Sequence, residues 1–187
     1  MIILSTRSSF CSLVVNLWLV ATLALLCAPC WCANAGPIVI TIPDGFDGPT
    51  RSNSAGGVTM GWVKQQPGSD GGTLLQVSAI DVGTSLEGIT PAQHIEATQH
   101  YLLEFIKGAK EHVDDFKFGD IDQTNLAGLP AARVHWTGTI NGRATIGVMY
   151  CVLVHQFVVS LQTQNLGSEI SPAMYTAIGA IEGISVR

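Results

Sequence analysis

The sequence predicts an α+β domain, a single antiparallel sheet of about six to seven strands with a long central helix and a C-terminal helix packed on it. Three observations carry this expectation. All 20 glycines lie after residue 35, a density that favours tight turns and strands over a helical bundle. Short β-branched or alternating apolar runs flank one long stretch of helical periodicity, the pattern of strands on either side of an amphipathic helix. No linker or internal repeat divides residues 36–187, and that length buries a core without a disulfide or metal staple.

The amino terminus reads as an export signal. Met1 to Arg7 is a weakly positive start, and Leu17 to Cys27 is almost purely apolar. Ala33-Asn34-Ala35 then supplies the small residues read by a signal peptidase, so residues 1–35 are expected to be removed by a cut before Gly36. The rival reading is a retained membrane anchor. Ser12, Asn16 and Thr22 interrupt the span that such an anchor needs. Membrane association is expected only if the segment is kept.

Four of the five cysteines fall in this leader, leaving Cys151 alone in residues 36–187. Cys27-Ala28-Pro29-Cys30 has a redox or zinc spacing but belongs to the leader. Leu26 and Pro29, which precede these cysteines, do not suit a lipoprotein acylation site. With no intramolecular disulfide and no Asn-x-Ser/Thr triplet after residue 35, the pattern points to a bacterial periplasm or envelope. The part after the leader carries 8 basic and 14 acidic side chains. A net negative, sparsely charged chain does not suit nonspecific nucleic-acid binding.

The elements follow in order. Ile38 to Ile42 is a β-branched strand closed by Pro43-Asp44-Gly45. Val58, Met60 and Trp62 alternate with polar or small residues, as do Leu75, Val77 and Ala79, and the two runs read as a hairpin across Gln66 to Gly72. Thr90-Pro91-x-Gln93 opens a helix with a capping box and a first-turn proline. Ile95, Leu102, Ile106, Ala109 and Val113 form its apolar stripe, with Gly108 its weak point.

Phe116 and Phe118 suggest a strand, followed by a loop through Gly128-Leu129-Pro130. Asn141-Gly142 is the preferred dipeptide of a two-residue type I′ hairpin. That register sets Trp136 across from Gly147, where an indole can cover bare backbone. Phe157, Val159 and Leu161 mark a final strand, although no turn residue separates it from Tyr150. Ser171-Pro172 starts the last helix, with Met174, Ile178 and Ile181 on one face and Gly183 near its end.

Taken along the chain, Ile42-Pro43-Asp44-Gly45-Phe46, the long helix after the third strand, Gly128-Leu129-Pro130-Ala131 leading into a hairpin, and a short closing helix resemble the PsbP/DcrB-like α-β-α sandwich. The resemblance spans most of residues 38–187. It implies an exported scaffold for binding or assembly, mostly without enzymatic activity, and supplies no catalytic residue to carry over.

Candidate chemistry is sparse. Ser85, in Gly83 to Gly88, resembles a nucleophile elbow, but Glu87 occupies the position where that motif needs glycine. Glu96, His100 and Glu104 stand at i, i+4 and i+8, a ladder able to hold a metal; a solvated helix face is the simpler reading. Asp114, Asp115, Asp120 and Asp122 cluster acidic charge before the hairpin. The Asp120-x-Asp122 stretch lacks the glycine and terminal glutamate of a calcium loop, and a charged loop that discourages edge pairing is the simpler reading. His155 shares parity with Phe157 and is expected to point inward, as a satisfied core histidine. Cys151 reads as a small buried hydrophobe.

No catalytic, cofactor-binding or metal-binding residue is assigned, and no cofactor is expected. The expectation is therefore an exported, non-enzymatic accessory domain that engages an envelope or secreted protein partner. The alternative is a carrier or sensor of a small apolar ligand, held in a cleft lined by Trp62, Trp136, Tyr101 and Phe105.

Overall fold

The computed structural model describes residues 32–187 except 55, 69, 70 and 87. The expected leader therefore lies outside the described residues, apart from the backbone of its last four. No helix among the described residues is long and apolar enough to cross a membrane.

Eleven strands are described: β1 (Cys32–Ala35), β2 (Ile38–Thr41), β3 (Asp47–Ser54), β4 (Gly57–Gln65), β5 (Gly72–Asp81), β6 (Asp114–Phe118), β7 (Asp122–Leu126), β8 (Leu129–Ile140), β9 (Arg143–Val154), β10 (Phe157–Leu166) and β11 (Ser185–Val186). Two α-helices accompany them, α1 (Pro91–Lys110) and α2 (Pro172–Glu182). The main sheet is antiparallel, in the order β3-β4-β5-β10-β9-β8-β6, with β7 also paired to β8. A small sheet, β1-β2-β11, stands apart.

The α+β class and both helices agree with the sequence expectation, but the single sheet of six to seven strands does not: β2 pairs with β1 and β11 in the small sheet, and the main sheet holds eight strands. The difference in number lies in polar strands. β3 has no aliphatic or aromatic side chain apart from the ring of Pro49 and is exposed along its whole length, so no apolar periodicity marks it. β7 is equally polar except for Leu126.

The sheet separates two cores. On one face α1 buries Leu102 and Ile106 against Val134, Trp136, Met149, Cys151 and Leu153. On the other, Met174, Ala177 and Ile181 of α2 and Ile38 and Ile40 of β2 cover Trp62, Leu75, Val77, Tyr150 and Leu161. Successive residues of a strand point to opposite faces. β9, central and covered on both sides, is consequently buried from Gly147 to Val154, which explains its nearly continuous apolar run.

Local chemistry fixes the ends. The Gln93 N–H donates to Thr90 Oγ1 at 3.3 Å and the Thr90 N–H donates to Gln93 Oε1 at 2.8 Å, completing the expected capping box. The Met174 N–H donates to Ser171 Oγ at 3.1 Å and caps α2. α1 ends at Lys110, so Val113 lies beyond it but is still buried.

Asn141 and Gly142 take φ of 51° and 75°, and Trp136 pairs with Gly147, both as the hairpin register predicts. Two further tight turns were not expected. Ala127 and Gly128 (φ 51° and 78°) join β7 to β8, replacing the expected loop with a hairpin whose second strand begins at Leu129. His155, with φ 52°, occupies the first position of the turn joining β9 to β10.

Candidate functional site

The structure corrects two of the sequence assignments. His155 is exposed in its turn, with Nε2 3.3 Å from the carbonyl oxygen of Arg187; the parity that suggested an inward side chain stops at the end of the strand. The four aromatics of the expected ligand cleft do not share a space. Trp62 belongs to the α2 face, whereas Trp136, Tyr101 and Phe105 belong to the α1 face. Trp136 is packed against Phe116, with centroids 5.4 Å apart and planes at 27°, so a side chain takes the space beside its indole.

The remaining candidates are dispersed. Glu96, His100 and Glu104 are exposed on α1, and Glu104 is paired with Lys107 at 2.5 Å, a hydrogen bond that holds its carboxyl below the usual range. Among the described residues no group of three or more His, Cys, Asp or Glu side chains could hold a metal ion. Ser85 lies in a one-turn 3₁₀ helix, Gly83–Leu86, its side chain outside what is described. Asp122 pairs with Arg133 at 3.1 Å, and Asp115 adopts φ 51° where the β6 register shifts. Cys151 is fully buried and burial pushes its thiol pKa up, so the thiolate needed for nucleophilic chemistry is disfavoured.

Two polar networks join the layers. The Tyr150 hydroxyl donates to Glu182 Oε1 at 3.0 Å, tying β9 to the end of α2. Burial, then the Glu182 carboxylate, pushes the Tyr150 pKa up to about 12, although Arg133 acts in the opposite direction. Thr73 Oγ1 donates to Asn165 Oδ1 at 2.9 Å and lies 3.0 Å from Ser171 Oγ, while Asn165 Nδ2 donates to the Glu169 carbonyl at 3.0 Å. This second network is largely buried and holds the approach to α2 in place.

One concave feature of the described residues is a groove of about 330 Å³ on the α2 face, bordered by β6, β8, β9 and the start of α2; a smaller one of about 200 Å³ lies between α1 and the β7–β8 hairpin. Ile146, Val148 and Met174 form its apolar floor, and Lys117, His135 and Thr137 bring polar groups to it. Lys117 pairs across strands with Thr137. The Gly119 N–H donates to the His135 carbonyl at 3.0 Å and folds the chain back at the groove's end. Ile170, 37% exposed, also lines it, whereas Phe118 at its rim pairs with Trp136 and so carries its ring on the α1 face. Sequence reasoning missed this site, because its residues come from separate segments and form no linear motif.

No protein-family model matches the chain, and no curated protein matches it. Among solved structures it is similar to LpqN, described as involved in cell envelope biogenesis of Mycobacterium tuberculosis, with a TM-score of 0.50 and 19% identity over 82% of this chain and 86% of that one. It is also similar to PA94 of Pseudomonas aeruginosa, a protein of unknown function described as a putative regulator (TM-score 0.47, 14% identity, 80% and 91% covered). A third likeness is to the Ran-binding protein Mog1p of Saccharomyces cerevisiae (TM-score 0.48, 12% identity, 81% and 90% covered). The LpqN likeness establishes a shared α+β sandwich fold. None of the three is named as a PsbP or DcrB protein.

Proposed function

We propose that this chain is an exported, non-enzymatic accessory domain of a bacterial envelope, built on a PsbP/DcrB-like sandwich and engaging a protein partner there. The observation that carries the reading is the N-terminal pattern, an apolar Leu17 to Cys27 run followed by Ala33-Asn34-Ala35. The sandwich shared with LpqN, itself involved in cell envelope biogenesis, supports an envelope role. The buried, protonated Cys151 and the dispersed titratable groups favour binding over catalysis.

The test is fractionation of the native host followed by native mass spectrometry and in-place crosslinking. The expected result is an envelope fraction holding a chain whose mass matches residues 36–187, crosslinked to a second protein in fixed proportion. Recovery of residues 1–187 from the cytosol would refute export. Recovery from crosslinked envelopes always as a bare chain would refute the partner.

A further inference from the structure

We propose that the groove on the α2 face binds a small amphiphile with one carboxylate head and a short alkyl or aryl tail. The inference stands apart from the partner reading and rests on the groove's own chemistry. Its volume, about 330 Å³, lies at the lower end of the range that holds small ligands, and such sites are mostly apolar with a few placed polar groups. Ile146, Val148 and Met174 offer the tail a floor, and Ile170 leaves apolar surface open to solvent beside it.

The head group follows from charge. The chain has 14 acidic side chains against 9 basic ones, yet no acidic residue lines the groove, whereas Lys117 and His135 do. Both are exposed, and Lys117 forms no ion pair among the described residues. Lys117 sits on the edge strand β6, opposite Thr137, and His135 and Thr137 share one face of β8. The geometry therefore orients the ligand, with the carboxylate toward the sheet edge at Lys117 and the tail toward Ile170 and Met174 beside α2. Ammonium, imidazole and hydroxyl groups are donors that suit a carboxylate.

The test is an amide chemical-shift titration of the isotope-labelled chain with decanoate, with decanol and decyltrimethylammonium as neutral and cationic controls, all below micelle formation. Decanoate is expected to give saturable shifts at residues 117–119, 135–137 and 146–148, and to bind more tightly than either control. Lys117→Glu, at an exposed position, should weaken decanoate about tenfold and leave decanol unchanged, with the amide spectrum away from the groove reporting an intact fold. Ile170→Ser should weaken decanoate and decanol alike, about fivefold. The proposal is overturned if the saturable shifts are absent or lie elsewhere. It is equally overturned if decanol binds as tightly as decanoate, or if Lys117→Glu leaves decanoate binding unchanged.

Discussion

Replacing Gly147 with alanine sets a methyl carbon 2.2 Å from Cε2 of the Trp136 indole and 2.4 Å from its Cζ2 and Nε1. Carbon atoms in contact prefer about 3.5–4.0 Å, so the ring must retreat by more than about 1 Å. It has little room to do so. Trp136 is 3% exposed, Phe116 stacks on it, and Ile106 of α1 belongs to the same core. Overpacking costs about 1–3 kcal/mol, and an approach this close belongs to the upper part of that range, about 2–3 kcal/mol. Relief of the conformational entropy of a strand glycine returns roughly 0.5–1 kcal/mol, which leaves a net loss of about 1–2 kcal/mol.

For a domain of this size each kcal/mol moves the midpoint by about 2–4 °C, so Gly147→Ala should unfold roughly 2–8 °C below the parent. Thermal unfolding followed by circular dichroism measures this, and a double-mutant cycle assigns the cause. In a Trp136→Leu background, itself strongly destabilised, adding Gly147→Ala should cost almost nothing. An unchanged or raised midpoint for Gly147→Ala in the parent, or an equal loss in both backgrounds, would refute the close approach of indole and backbone.

Other substitutions test other parts of the fold. Gly108 lies in α1 with nothing within 4 Å of the place a Cβ would take, so Gly108→Ala should stabilise by about 0.5–1 kcal/mol, read as a higher denaturant midpoint at unchanged slope. Thr73→Val strands the partners of a buried hydroxyl and should cost roughly 1–3 kcal/mol in the same assay. Tyr150 is held protonated in the folded state, its pKa raised from 10.0 to about 12. The folded state then binds this proton more tightly than the unfolded one. Its contribution is complete below pH 10 and is lost as pH rises toward 12. Tyr150→Phe should flatten that alkaline decline in pH-dependent denaturation; an unchanged decline would assign it to other groups.

Signals confined to a few neighbouring residues were legible in the sequence. Thr90, Pro91 and Gln93 specify a cap through groups that meet within one helical turn, and Asn141-Gly142 specifies a turn through the φ values that those two residues tolerate. Once that turn fixes the register, Trp136 and Gly147 must meet. β3 was not legible because its side chains bury nothing, and pairing with β4 alone makes it a strand. The turns at Ala127 and His155 place residues with a Cβ at positive φ, where the closing strands overrule local preference. The aromatic cleft failed for a topological reason. Parity gives the face of a residue within its own strand, but β4 and β8 are separated by β5, β10 and β9. Whether Trp62 and Trp136 share a side depends on strand order, which no local pattern encodes. The groove depends on the same order, together with the start of α2 coming to lie beside it.

β1 pairs with β2 across Gly36 and Pro37, with Ala35 opposite Ile38 and Cys32 opposite Thr41. Residues 33–35 are also those that a signal peptidase would read at the proposed cut. One backbone segment cannot lie in a protease cleft and in a sheet at the same moment, so maturation and folding compete for it. The proposed cut, if made, would have to precede closure of the small sheet. A precursor that folded first would shelter its own scissile bond, whereas the processed chain would keep only β11 beside β2 and begin its folded life with one strand edge newly open.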